Sequence, residues 1–360
     1  MNQAEDFFKA LFEIAVSAGN KATLPAICEL PRVANIFLFD ASTISLNQAL
    51  SDELPGVSKA SCKIHLAFNL TSQTLSHTSM TEGKCSDQST KTDHLNITEP
   101  GDLIIRDLGY FEVSDLQRLN EENRFYLSRL PLRMRVFHDE EENRLNLWQW
   151  VSSQRSFSFD RSLKLGTEKL ISRVVGIRLP KWKWKARLEE RKQEKGRALS
   201  KEEKAQAKWN LYVTNLDKTQ ASIEVIQSLY ELRWQIEIFF KALKSGLKLG
   251  PVRRASCKRV VSAYIWSRLT LAAILLIVRG HVQKSHEGEI RVLKWFNRLS
   301  GHLSTIGSYI QAKKWQALAK FIHQKLAAYC IPEKSRRKSS QEKFNESSTL
   351  SLKGRRDFKA

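Results

Sequence analysis

The chain has 360 residues, 42% of them apolar and 27% charged, enough to bury a sizeable core and too apolar for a disordered chain. Lys and Arg number 59 against 38 Asp and Glu, a net charge of +21, so a polyanion is the first partner to consider and nucleic acid fits better than an acidic small molecule. Five widely spaced cysteines without a C-x-x-C argue against a zinc knuckle or a disulfide framework and point to a reducing cytoplasm. The opening Met1-Asn-Gln-Ala-Glu-Asp lacks the basic start and apolar core of a secretory leader.

Residues 4–17 read as an amphipathic helix, with Pro25 and Pro31 breaking the pattern before the apolar run 33–39. That run predicts a buried strand ending at Asp40. Residues 62–70 alternate as a second strand, a polar stretch with the turn-like Thr81-Glu-Gly-Lys follows, and Leu103-Ile-Ile-Arg predicts a strand ending near Asp107. Residues 114–123 look helical, and 124–137 look like a strand broken at Pro131. Between about 139 and 220 short strands are expected around Trp148, Trp150, 156–159, 169–179 and 209–214. The arm 181–208 interrupts them with a net charge of +6, too polar for a core. Residues 221–244 and 254–280 are strongly helical, and 287–329 hold two or three more helices. The apolar run 269–278 is about half the ~20 residues that span a bilayer, which predicts a buried helix and no membrane partner. After Pro332 a tail of net charge +5 is expected to be disordered, which leaves +10 on the folded body.

The most informative stretch is 229–244, LYELRWQIEIFFKALK. At about 100° per residue from Tyr230, Arg233 falls near 300°, Glu237 near 340°, Lys241 near 20° and Lys244 near 320°. One stripe thus holds a phenol, a carboxylate and three cations, while Leu232, Ile236, Phe239 and Leu243 form an adjacent apolar face. Taken alone, such a stripe is more often a solvated face supported by Arg233–Glu237 and Glu237–Lys241 pairs. Asp40 and Asp107 add carboxylates from separate elements, as two-metal phosphoryl transfer requires, although an Asp at a strand end is also a common turn former. Hard oxygen ligands suit Mg²⁺ or Mn²⁺ rather than zinc. His65 reads as a core or surface histidine, and Asp102 as a weaker ligand candidate than Asp107. Trp182, Trp184 and Trp209 are candidates for base stacking or for packing the 139–220 segment. Arg253, Arg254, Lys258 and Arg259 make either a phosphate-tracking patch or a solvated helix start.

Tyr230-x-x-Arg233-x-x-x-Glu237-x-x-x-x-x-x-Lys244, with FLFDAST around Asp40 and IIRDLGYF around Asp107, resembles the Tyr-Arg-Glu-Lys signature of DDE transposases from bacterial insertion sequences. The resemblance runs from about residue 33 to 280. It implies an α/β fold in which an RNase H-like mixed sheet flanked by helices carries the two aspartates. A β-rich insertion would separate the second Asp from the Glu, with a helical C-terminal region after it. The division implied is a short N-terminal helical remnant (1–30), the core in two parts (31–138 and 221–280), the insertion with its arm (139–220), C-terminal helices (281–332) and a basic tail (333–360). It further implies that Asp40, Asp107 and Glu237 are catalytic and bind Mg²⁺, with Mn²⁺ as a substitute and two ions in the site. Water would attack the phosphodiester at the element's end, and the freed 3′-hydroxyl would attack target DNA. Tyr230, Arg233 and Lys244 would hold DNA phosphates. Lys241, on the same stripe but outside the signature, and Arg253 and Arg254 are further candidates for DNA contact beside that set, as are Trp182 and Trp184 for base stacking. The implied partners are double-stranded DNA, as terminal repeats and target, and a second copy in a homodimer on paired ends; the setting is the bacterial cytoplasm. Two departures stand out. Only 39 residues precede Asp40, where relatives carry a sizeable helical region, so a truncated DNA-binding remnant or regulator is the alternative expectation. Leu108 stands where many relatives have an Arg after the second Asp.

Overall fold

A computed structural model of the chain describes residues 3–21, 30–86, 93–131, 133–138, 144–250, 252, 254–331 and 342–347. The described residues form a mixed α/β protein divided into two compact units. The first comprises Met1–Glu29, Asn35–Ile97 and Leu232–Glu342, and the second Leu30–Ala34, Thr98–Glu231 and Lys343–Ala360.

In the first unit, α1 (Gln3–Lys21) is followed by the antiparallel strands β1 (Ile36–Ser45), β2 (Ser61–Asn69) and β3 (Thr74–Glu82), and by the short α2 (Asp93–Ile97). Asp40 therefore lies within β1 and does not end it. The reason is visible in the burial pattern: residues 36–39 are wholly buried, Asp40 to Ser42 are half-buried, and the strand continues with Thr43 exposed and Ile44 buried, two residues that favour extended backbone. β3 occupies the stretch whose polarity reads as loop; its sequence TLSHTSMTE pairs along β2 from Thr74 to Glu82, so partner strand rather than apolarity sets its conformation.

The second unit holds β4 (Leu103–Arg106), α3 (Val113–Glu121), β5 (Phe125–Arg129), β6 (Val136–His138), β7 (Arg144–Leu145), α4 (Leu147–Ser153), β8 (Ser158–Leu165), β9 (Leu170–Arg178), α5 (Lys181–Lys195), α6 (Lys201–Lys208), β10 (Trp209–Thr214) and α7 (Ile223–Leu232). Its strands run in the order β4-β5-β10-β9-β8-β6-β7, with β4 and β5 parallel and the rest antiparallel. Trp148 and Trp150 sit on α4 rather than on strands, because Asn146 caps that helix by accepting from the Gln149 N–H at 3.1 Å. The arm 181–208 is not irregular: it is the helical hairpin α5–α6, closed by Gly196 in the left-handed region (φ 59°) and by a capping box between Ser200 and Glu203.

The chain returns to the first unit with α8 (Trp234–Ser245), α9 (Lys258–Gln283), α10 (Val292–Ser300), α11 (Leu303–Gln311) and α12 (Trp315–Phe321). α9 contains the apolar run and is long and apolar enough to cross a bilayer by length and composition alone. It is a core helix here: Leu269, Ala272, Leu276 and Val282 are buried, and α1 packs on it through Phe12 and Trp266, whose ring centroids are 5.3 Å apart. Arg279, near its end, is buried and donates to the Ile290 carbonyl at 2.6 Å and to Gln73, and burial pulls its guanidinium down to about 10. Within the stretch expected to be a disordered tail, residues 342–347 are helical and Phe344 is fully buried; the rest of 333–360 lies outside the described residues.

Candidate active site

Two consecutive helices carry the stripe. α7 ends at Leu232, and Arg233, in helical conformation at φ −52° and ψ −31°, leads into α8. The apolar face is buried as the spacing requires: Leu232, Ile236 and Leu243 are 0% exposed, and Phe239 lies 5.7 Å from both the Phe68 and Phe296 rings. Each such side chain contributes about 1.5–3 kcal/mol of burial, which fixes the rotation of α8 and turns Glu237, Lys241 and Lys244 the other way.

In the first unit this brings five expected site residues together. The Arg233 guanidinium donates to Glu237 Oε1 at 2.5 Å and stands 4.0 Å from Asp40 Oδ2, so one cationic group bridges carboxylates from β1 and α8. Asp40 Oδ1 also accepts from the Ala41 N–H at 2.8 Å. Lys244 Nζ lies 3.5 Å from the Thr43 carbonyl, and Lys241 and Lys244 join Asp40, Ser42 and Glu237 around an open groove of about 590 Å³.

The second unit holds the other two. Asp107 follows β4 directly; its side chain does not cap the short turn 108–110 and accepts from the Tyr230 hydroxyl at 3.4 Å. Tyr230 is 9% exposed, its ring 5.2 Å from that of Tyr212, with the Arg129 guanidinium 5.9 Å from its centroid.

A hard divalent cation fits this donor chemistry. Asp40 and Glu237 offer oxygens from separate elements, and a positive group already stands between them. Among the described residues, no three His, Cys, Asp or Glu side chains form a group that could hold a metal ion as they stand.

The remaining candidates are scattered. Trp182 is 70% exposed at the start of α5, whereas Trp184 is half-buried with Lys208 Nζ 5.4 Å from its ring. Trp209 is 3% exposed, packed on Phe159 and under Arg178, which settles it as core. Asp102 is buried and accepts from the Glu99 N–H at 2.8 Å, a turn-forming role, and His65 is buried against the Thr81 hydroxyl at 2.9 Å. Arg254, Lys258 and Arg259 are exposed, and Arg253 lies outside the described residues. Sequence reasoning passed over Trp234, 58% exposed at the first turn of α8. At about 100° per residue it falls near 40°, on the edge of the charged stripe, so its signal was the same wheel.

A profile of the transposase DDE domain matches residues 31–276. The transposase for insertion sequence element IS231F of Bacillus thuringiensis subsp. israelensis is 27% identical over 322 residues, covering 79% of this chain and 67% of its own. The transposase for element IS231D of Bacillus thuringiensis subsp. finitimus is 26% identical over 378 residues, covering 94% and 76%. The transposase for element IS1151 of Clostridium perfringens is 22% identical, covering 73% and 62%. The profile match takes in more than half of the chain and both carboxylate-bearing units, and the chain belongs to the transposase DDE domain family.

Proposed function

We propose that this protein is the transposase of an insertion sequence, cleaving phosphodiester bonds at the element's ends and joining the freed 3′-hydroxyl to target DNA. The observation that carries the reading is the Arg233 bridge between Asp40 and Glu237, two carboxylates that line a groove with Lys241 and Lys244 within a matched DDE domain. Asp40, Asp107 and Glu237 are the ligands for Mg²⁺ or Mn²⁺, two ions in number. When bound, such ions activate the attacking oxygen and offset charge on the leaving one. Asp107 following β4 and Asp40 on β1 support an RNase H-like arrangement, with the β8–β9 hairpin, β10 and the α5–α6 arm as the insertion before Glu237.

The chain's own groups hold the DNA. Arg233 presents a planar fork to a phosphate, Lys244 and Lys241 act as point charges at the groove, and the Tyr230 hydroxyl donates. Trp182 and Trp184 on α5, with Arg253 and Arg254 ahead of α9, extend the contact surface. The acting species is a homodimer on paired ends, working on DNA in the cytoplasm.

The test is nicking of supercoiled DNA with Mg²⁺ or Mn²⁺ by the parent chain and by Glu237→Ala. Metal-dependent cleavage that vanishes in the variant supports the reading. Salt-sensitive binding without cleavage by the parent replaces it with a DNA-binding regulator.

A further inference from the structure

The inner face of α5 is built against the usual rule. Trp184, Arg187, Leu188 and Arg191, at i, i+3, i+4 and i+7, are the half-buried residues over this stretch, and the neighbours between them are exposed. An amphipathic helix ordinarily turns apolar residues inward, and here half of that stripe is arginine. Arg187 Nη1 donates to Asn210 Oδ1 at 3.1 Å. Asn210 shares a face of β10 with Tyr212, and Tyr212 pairs in register with Arg129 of β5. The Arg129 guanidinium in turn stands 5.7 Å from the Tyr212 ring and 5.9 Å from that of Tyr230. Opposite and diagonal partners on one sheet face lie within about 5–8 Å, so Arg129 and Arg187 reach the same patch. Arg191, one turn along α5, donates to the Glu203 carbonyl at 3.4 Å.

Among the described residues, none of these three arginines has a carboxylate within ion-pair distance. Glu190 acts on Arg187 and Glu194 on Arg191 without pairing with them, and Glu203 is taken by Lys195, Arg197 and the Ser200 N–H. Burial, with Arg129 and Arg191 beside it, pulls Arg187 down to about 10, and burial with Arg129 lowers Arg191 as well. Arginine stems do pack well on apolar surface, but that needs no convergence of like-charged heads. Three partly desolvated guanidiniums on one patch lower their free energy most by sharing an anion, and each offers a fork that matches a phosphate.

We propose that Arg129, Arg187 and Arg191 form a phosphodiester-binding subsite for DNA, beside Tyr230, with α5 as its fixed wall. The proposal rests on the transposase reading above and assigns the arm's inner face a role that neither the signature nor the exposed Trp182 supplies. The hairpin turn suits it: Glu203 ties Lys195, Arg197 and Ser200 together, so α5 is held before any DNA arrives.

The experiment is a salt titration of duplex DNA binding for the parent, Arg187→Ala/Arg191→Ala and Arg187→Lys/Arg191→Lys, with a thermal melt of each. Loss of two phosphate contacts makes the slope of log K against log salt shallower by about 1.8, so that between about 50 and 200 mM salt the alanine variant loses about 12-fold less affinity than the parent. Its melting temperature holds or rises, since like charges have been removed, and the lysine variant recovers most of the slope. An alanine variant that keeps the parent's slope while melting earlier shows the arginines to be structural and overturns the subsite. Inorganic phosphate that raises the parent's melting temperature as far as duplex does overturns it in favour of a free-anion site. A parent chain that binds no duplex refutes the transposase reading itself, a separate result from an unchanged slope.

Discussion

Replacing Arg233 with Ala tests the proposed divalent-cation site without any DNA. The guanidinium stands 2.5 Å from Glu237 and 4.0 Å from Asp40, and the three side chains are 16%, 31% and 19% exposed. That places the bridge between a screened surface pair, worth under about 1 kcal/mol, and a fully buried one, whose disruption costs about 3–5 kcal/mol. Removing the cation leaves two carboxylates facing one another, and the expected loss is about 1–2 kcal/mol, or roughly 3–6 °C for a unit of this size. A divalent ion then has no competitor for the same oxygens: at ten times its dissociation constant it returns about 1.4 kcal/mol to the variant. In the parent the ion must first displace the guanidinium, so its gain is smaller. Scanning calorimetry of both chains in EDTA and in millimolar Mg²⁺ or Mn²⁺ reads the difference directly. Equal metal responses, or an alanine variant as stable as the parent in EDTA, would refute the reasoning.

Three further outcomes follow from other parts of the fold. Hydrogen bonds from Arg197, Lys195 and the Ser200 N–H hold Glu203 down at about 2 from an ordinary 4.5. A depressed carboxylate stabilises the folded chain above its unfolded pKa and loses that contribution as pH falls through the folded one, so Glu203→Gln should flatten stability against pH between those two values in acid titrations followed by circular dichroism. Trp182→Ala should leave the melting temperature unchanged and weaken binding to single-stranded DNA, whereas Trp209→Ala, a buried ring on Phe159, should cost about 3–5 kcal/mol in a urea melt. At Gly176 a Cβ would lie 2.1 Å from the Phe159 ring across the β8–β9 pair, so Gly176→Ala should cost about 1–3 kcal/mol by the same measurement.

The parts of the site legible in the sequence are those written in periodicity. Ile236, Phe239 and Leu243 announced which face of α8 is buried, and the charged residues between them followed by geometry. Pattern at Asp40 misled for a physical reason: a strand that changes from two buried faces to one looks, in sequence, like a strand that stops. Polar β3 and the helical arm escaped because pairing and capping, not apolarity, determine them. Arg129 and Arg187 escaped altogether, since one is a single residue on a short strand and the other looks like part of a solvated charge run. Only their convergence on β10 distinguishes them.

That distinction matters for how a strongly basic chain recognises one strand among many phosphates. Lysines on an exposed face raise affinity for any duplex and slide with it. Arginines whose positions are fixed by a register pair, an asparagine and a capped hairpin hold a phosphate at one place. On the Tyr230 side the phenol, Arg129 and the α5 arginines are set in this second way. On the Glu237 side Lys241 and Lys244 are set in the first. On the proposed reading, positioning of the backbone falls to Arg129 and the α5 arginines, and attraction to Lys241 and Lys244. Arg129→Ala should accordingly lower cleavage more than binding, whereas Lys241→Ala should lower both together, a split that single-turnover nicking at saturating DNA measures and that equal losses in the two variants would rule out.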